Sequence, residues 1–203
     1  MKNIFKTSLL VPVLGLFFIT GSKAENLLVN GDFTSGMNGW KSVVSGQVTP
    51  GSQLKVEPLS ESGGKSGKAI RITDTDEVAG VGLLQQIPAT AGKVYELTFM
   101  SKTTRPNPAQ KGPPGYANIQ FLDAKGAWLN NARAATPTGT PTPEELKLIK
   151  QDVFNLASPG KGWESGTITA TAPPGTVKMT VGFKAGNQGA GTIDISDVVL
   201  KQH

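Results

Sequence analysis

No cysteine occurs in the 203-residue chain, which excludes a disulfide framework, a lipid-modified cysteine and thiol chemistry. Histidine is almost as scarce, since the single one is His203, the last residue. Ser-His-Asp hydrolysis and histidine-based zinc sites therefore lose their central residue. Aromatics make up 6%, so any ligand site has little stacking surface to draw on. There is also no run of Lys or Arg, the usual footprint of nucleic-acid binding.

Long apolar runs are missing except near the start. Lys2 and Lys6 introduce a run from Leu9 to Ile19, and Ser22-Lys23-Ala24 supplies small residues where a signal peptidase reads them. A membrane-spanning helix needs roughly 20 apolar residues, more than this run offers. The expectation is a signal peptide over 1–24 and one exported domain over 25–203, with no membrane association after cleavage. The net charge of +5 shrinks accordingly: three of the 20 basic residues, Lys2, Lys6 and Lys23, lie in the signal, leaving 17 against 15 acidic. Nucleic acid is not an expected partner.

What is plentiful is glycine (25) and proline (14), set between short alternating apolar runs. That pattern predicts an all-β domain, with strands near Leu27–Phe33, Leu54–Glu57, Lys68–Thr73, Gly82–Ile87, Val94–Thr103, Tyr116–Asp123, Thr167–Ala172, Val177–Lys184 and Thr192–Leu200. Many short strands with polar turns point to a β-sandwich. Alternation assigns Tyr95, Leu97 and Phe99 to the core, with Val177, Met179, Val181 and Phe183. The intervening Lys178, Thr180, Gly182 and Lys184 form a water-facing set.

Two stretches break this rhythm. Thr104–Gly115 contains Pro106, Pro108, Pro113 and Pro114 and reads as a loop. Asn131–Lys161 is a longer insertion in which Thr142-Pro143-Glu144-Glu145 has cap, first-turn proline and capping-box spacing, predicting a short surface helix to Lys150.

The chain resembles the cellulose- and xylan-binding type of carbohydrate-binding module. The likeness rests on Asn26-Leu27-Leu28-Val29-Asn30-Gly31-Asp32-Phe33 with Gly39-Trp40, on Gly67-Lys68-Ala69-Ile70-Arg71-Ile72, and on Leu84-Gln85-Gln86-Ile87 leading to Gly92–Phe99. It continues with Trp163 before Thr169–Thr176, and with the closing Ile193–Leu200. It covers nearly all of 25–203 apart from the two loops. The resemblance implies a jelly-roll, galactose-binding-domain-like sandwich that binds a polysaccharide or glycan, with a structural calcium ion between the first and last strands. It places Asp197 among the calcium ligands, with Asp32 and the carbonyls near Asn30 beside it. Thr34 departs from the pattern, because many members have a glutamate there. Trp40 and Trp163 match packing positions.

Sugar recognition needs flat aromatic surface for the pyranose face and convergent polar groups for its hydroxyls. In Tyr116–Phe121, alternation turns Ile119 and Phe121 inward and Tyr116, Asn118 and Gln120 outward, which makes these three the first candidates. Glu96 and Lys102 are placed across the same sheet, with Arg105 reaching over from its loop. Trp128, at the entry to the insertion, is either a stacking platform or an anchor for that insertion.

Catalysis finds less support. Glycoside hydrolysis uses two carboxylates about 5–10 Å apart, and Glu96 has no evident partner. Phe183-Lys184-Ala185-Gly186-Asn187-Gln188 faintly resembles a strand motif of alginate lyases, but their strand histidine and arginine-rich strand are absent. The reading is a non-catalytic binding protein. An extracellular adhesive or structural role for the same sandwich is the alternative.

Overall fold

A computed structural model describes residues 25–59, 66–104, 114–129, 153–156, 160–186 and 190–203. The expected signal peptide, the helix expected over 142–150 and Arg105 lie outside them. Ten strands are present: β1 (Lys41–Ser45), β2 (Leu54–Leu59), β3 (Ala69–Asp74), β4 (Gly80–Pro88), β5 (Val94–Thr104), β6 (Gly115–Leu122), β7 (Val153–Asn155), β8 (Glu164–Thr171), β9 (Lys178–Ala185) and β10 (Gly191–Gln202). They form two five-stranded antiparallel sheets, a first in the order β1-β4-β9-β6-β7 and a second in the order β2-β3-β10-β5-β8. No helix occurs among the described residues.

The period-2 pattern decides which side chains meet between the sheets. The second sheet contributes Ile70, Ile72, Leu97, Ile193, Ile195 and Leu200, and the first Val81, Leu83, Ile119, Phe121, Met179, Val181 and Phe183, all essentially buried. Each large side chain removed from water in this way contributes about 1.5–3 kcal/mol. Phe99 meets Phe183 edge-on across the interface at 5.1 Å, and Tyr95 packs against Phe121 at 5.9 Å. The buried Tyr95 hydroxyl accepts from the Thr90 amide (2.8 Å) and donates to Gln202 Oε1 (3.0 Å), so its polar end is satisfied. Trp40 is buried as the sequence implies, beside Phe33 and Phe183, and its Nε1 donates to the Asn30 carbonyl at 3.2 Å.

Two expectations need correction. Leu27–Phe33 is a run of turns rather than a strand. Asn30 and Phe33 have φ of 52° and 56°, which a strand does not accommodate. Side chains from distant strands meet this segment's backbone instead. Gln85 grips both the N–H (2.7 Å) and the carbonyl (2.9 Å) of Val29, while Asn26 Nδ2 donates to the Val198 carbonyl and its Oδ1 accepts from the Leu28 and Leu200 amides. Val177 was placed in the core by alternation, yet it precedes β9 and is 47% exposed.

Candidate functional site

The first sheet presents a polar outer face between its strands. Registers place Val43, Gly82, Lys184 and Tyr116 in one row, Lys41, Leu84, Gly182 and Asn118 in the next, and Gln86, Thr180 and Gln120 in a third. Tyr116, Asn118 and Gln120 therefore stand along one edge of a cleft of about 220 Å³, as alternation predicts, with Lys184, Thr180 and Ser45 facing them. Glycines form its floor. A Cβ on Gly182 would lie 2.7 Å from Asn118 Oδ1, and one on Gly80 would lie 2.5 Å from Lys184 Cε. Bare backbone at these two positions lets both polar side chains lie across the sheet.

Trp128 completes the rim. Asp123 Oδ1 accepts from the amides of Lys125 and Ala127, both at 2.8 Å, and closes a tight turn that sends the chain back along β6. The Leu129 amide then bonds the Phe121 carbonyl (2.8 Å), and Trp128 pairs with Leu122. Trp128 is 53% exposed and lines the cleft, whereas Leu129 packs against the core. Burial raises the Tyr116 pKa above its ordinary value, so its hydroxyl remains a donor at neutral pH.

Glu96 and Lys102 do not join this group. Both belong to β5 and face outward from the second sheet, on the opposite side of the sandwich. Glu96 stands opposite Lys201, and Lys102 opposite Asp194, so each is matched to an opposite charge of its own sheet. Alternation identified their outward direction but not their sheet. Arg105 is outside the described residues. Lys184, Thr180 and Ser45 were not singled out as site residues. The signal for the first two was the polar alternation of β9, which acquires a neighbour only once β9 is known to pair with β6.

Asn30, Asp32 and Asp197 do rim one larger cleft, of about 810 Å³, beside the bulge in β10. Its polar groups are largely committed to the fold. Asn30 donates to the Gly36 and Asn38 carbonyls and accepts from the Ser35 amide, Asp32 Oδ1 accepts from the Thr34 amide and hydroxyl, and Asp197 Oδ1 accepts from the Ser66 amide at 3.0 Å. The Asn30 carbonyl already receives the Phe33 and Trp40 N–H groups, so Asn30 does not fit a calcium-ligand role. Calcium takes 6–8 oxygens, and among the described residues no three acidic, histidine or cysteine side chains converge. Among the described residues the one aromatic lining this cleft is Phe99, which is buried.

Two buried aspartates stand where the chain passes between the sheets, Asp74 at the end of β3 and Asp76 in the link from β3 to β4. Asp76 accepts from the amides of Ala79, Val78 and Thr49, in decreasing order of influence, and these bonds hold its carboxyl well below the usual range. Burial pushes Asp74 the other way. Its Oδ1 accepts from the Asp76 amide (2.8 Å), while Oδ2 is sealed in where a Cβ on Gly186 would be.

No protein-family model matches this sequence, and no curated protein matches it. Solved structures do match in shape. The enzymatically active domain of bacteriophage CBA120 tailspike protein 4 superposes with a TM-score of 0.62 at 16% identity, over 88% of this chain but 21% of that one. A family 16 carbohydrate-binding module gives 0.55 at 17% identity, over 86% and 99%. TmCBM61, solved with β-1,4-galactotriose, gives 0.53 at 14% identity, over 89% and 100%. The chain thus has the jelly-roll sandwich of carbohydrate-binding modules and spans about a fifth of the tailspike chain.

Proposed function

We propose that this protein is exported and binds a polysaccharide or glycan without cleaving it, in the cleft on the outer face of its first sheet. The observation carrying this reading is the convergence of two aromatic surfaces, Tyr116 and Trp128, with the amides of Asn118 and Gln120 in one cleft. Aromatic rings suit the apolar face of a pyranose, and the amides supply both donors and acceptors for its hydroxyls. The fold shared with modules of similar length, one of them solved holding a galactotriose, supports the same reading. Among the described residues no Asp or Glu lines the cleft, so the paired carboxylates of glycoside hydrolysis have no counterpart there.

The test is depletion of the protein by insoluble and gel-embedded polysaccharides, with the supernatant assayed for released sugars and unsaturated ends. Retention without product is the expected outcome. Product would make the protein an enzyme, and absence of both would favour the adhesive or structural role. A calcium ion bound by Asp32 and Asp197 is a separable part of the proposal, supported by their meeting at one cleft. Chelation then lowers the melting temperature, because a ligand held by the native state alone stabilises it. An unchanged melting temperature removes the ion.

A further inference from the structure

We propose that the glycan held on the first sheet is anionic, bearing a carboxylate or sulfate on its sugar units, and that Lys184 meets that charge. This rests on the first-sheet cleft being the sugar site. The observation behind it concerns the whole sheet: β1, β4, β6, β7 and β9 contain Lys41, Lys178 and Lys184 and no aspartate or glutamate. All three lysines belong to the outer face. Lys41 pairs with the outward Leu84, while Lys178 and Lys184 share the outward alternation of β9. Lys178 and Lys184 are six residues apart on one strand, about 20 Å, so the positive charge follows a line suited to an extended chain rather than to a single small anion.

Lys184 is the cation that enters the cleft itself. Its stem crosses the bare backbone of Gly80, its Nζ donates to Ser45 Oγ at 2.9 Å, and its row neighbour on β6 is Tyr116. An ammonium so placed can meet an acid group on a sugar whose ring lies over Tyr116. Asp74, the carboxyl that Lys184 acts on, is buried at the end of β3 behind Gly186 rather than exposed in the cleft, and burial, which raises its pKa, outweighs the opposing pull of Lys184. Among the described residues no acid lines the cleft beside the ammonium. A neutral glycan would gain nothing from the absence of carboxylates across five strands.

The experiment is affinity electrophoresis of the full chain through gels containing polygalacturonate (carboxylate), carrageenan (sulfate) or neutral β-1,4-galactan and xylan. Wild type, Lys184→Gln and Lys201→Gln are compared, the last lying on the second sheet, with melting temperatures confirming that each is folded. The expected result is retardation by one or both acidic polymers, weakened about tenfold by Lys184→Gln, as for loss of one charge-assisted hydrogen bond, and unchanged by Lys201→Gln. The gel that responds identifies the acid group. Equal retardation by neutral polymers, with Lys184→Gln behaving as wild type, would overturn the anionic ligand while leaving the sugar site standing. Retardation by acidic polymers that both lysine variants weaken alike would show general attraction to a basic protein and also overturn the proposal. Retardation by no polymer would instead defeat the sugar-binding reading beneath it.

Discussion

The two outer faces of the sandwich have the same strand count and opposite electrostatic character. The second sheet interleaves charge: Glu57, Arg71, Asp194 and Lys102 follow one another across four strands, and Arg71 grips Asp194 with Nε and Nη2 at 2.7 and 2.8 Å. The outer face of the first sheet has lysines, amides and glycines, with Tyr116 and Trp128 at its cleft, and its strands contain no acid. A face whose charges satisfy one another is a finished surface. A face with lysines and no acid of its own strands, a half-buried tyrosine, an exposed tryptophan and a bare backbone floor is prepared for something that is not part of the chain.

The largest effect that would sharpen this contrast is expected from removing both rings. Tyr116→Ala with Trp128→Ala should lower glycan affinity on the order of 100-fold, as for paired aromatic hot spots, at nearly constant melting temperature. Glu96→Ala with Lys102→Ala on the other face should leave affinity as it was, and isothermal titration calorimetry would read both. Equal losses from the two pairs would abolish the distinction between faces. Next comes Arg71→Ala, which strands a carboxylate whose side chain is 3% exposed. Its guanidinium is part-solvated, so a loss of about 2 kcal/mol is expected rather than the full cost of breaking a buried pair. Urea unfolding should show this with glycan binding intact.

The smallest effect concerns the link between the sheets. Asp76 is held below its ordinary 3.8, so its stabilising contribution is complete above that value and fades as the pH falls below it. Asp76→Asn, with one acceptor oxygen in place of two, should be less stable than wild type at pH 7, and the gap should close as unfolding is followed below pH 3.8. Asp74 acts with the opposite sign, since its carboxyl is raised and burying its charge costs stability as the pH rises above 3.8. A gap for Asp76→Asn that widened in acid would contradict its role as amide acceptor.

Much of this architecture was legible in the sequence because β5 and β9 alternate so regularly that inward and outward sets separate on inspection. The same signal separates the outward Tyr116, Asn118 and Gln120 from their buried neighbours. Alternation is blind to which sheet a strand joins, which is why Glu96 and Lys102 were set beside Tyr116 when they lie on the far side. It is also blind to side chains that act as backbone partners. Leu27–Phe33 reads as a strand from its apolar residues, yet side chains of Asn26 and of Gln85, the latter 56 residues beyond Val29, take the place of a partner strand. The edge strand β1, Lys41-Ser42-Val43-Val44-Ser45, escaped notice because an exposed edge has no apolar face to reveal it. That Lys184 lines the same cleft follows from its cross-strand neighbour, Tyr116.

The bond from Asn26 to the Val198 carbonyl joins residues 172 apart, and β10 is the central strand of the second sheet, between β3 and β5. During synthesis, the ribosome must deliver nearly all of the described chain before that sheet acquires its middle. Until then the β2–β3 and β5–β8 pairs are separate ribbons with open edges, the form of β-structure most prone to pairing with a stranger. A chain halted before Gly191 would already hold every strand of the lysine face, yet would lack the second layer that keeps that face in shape.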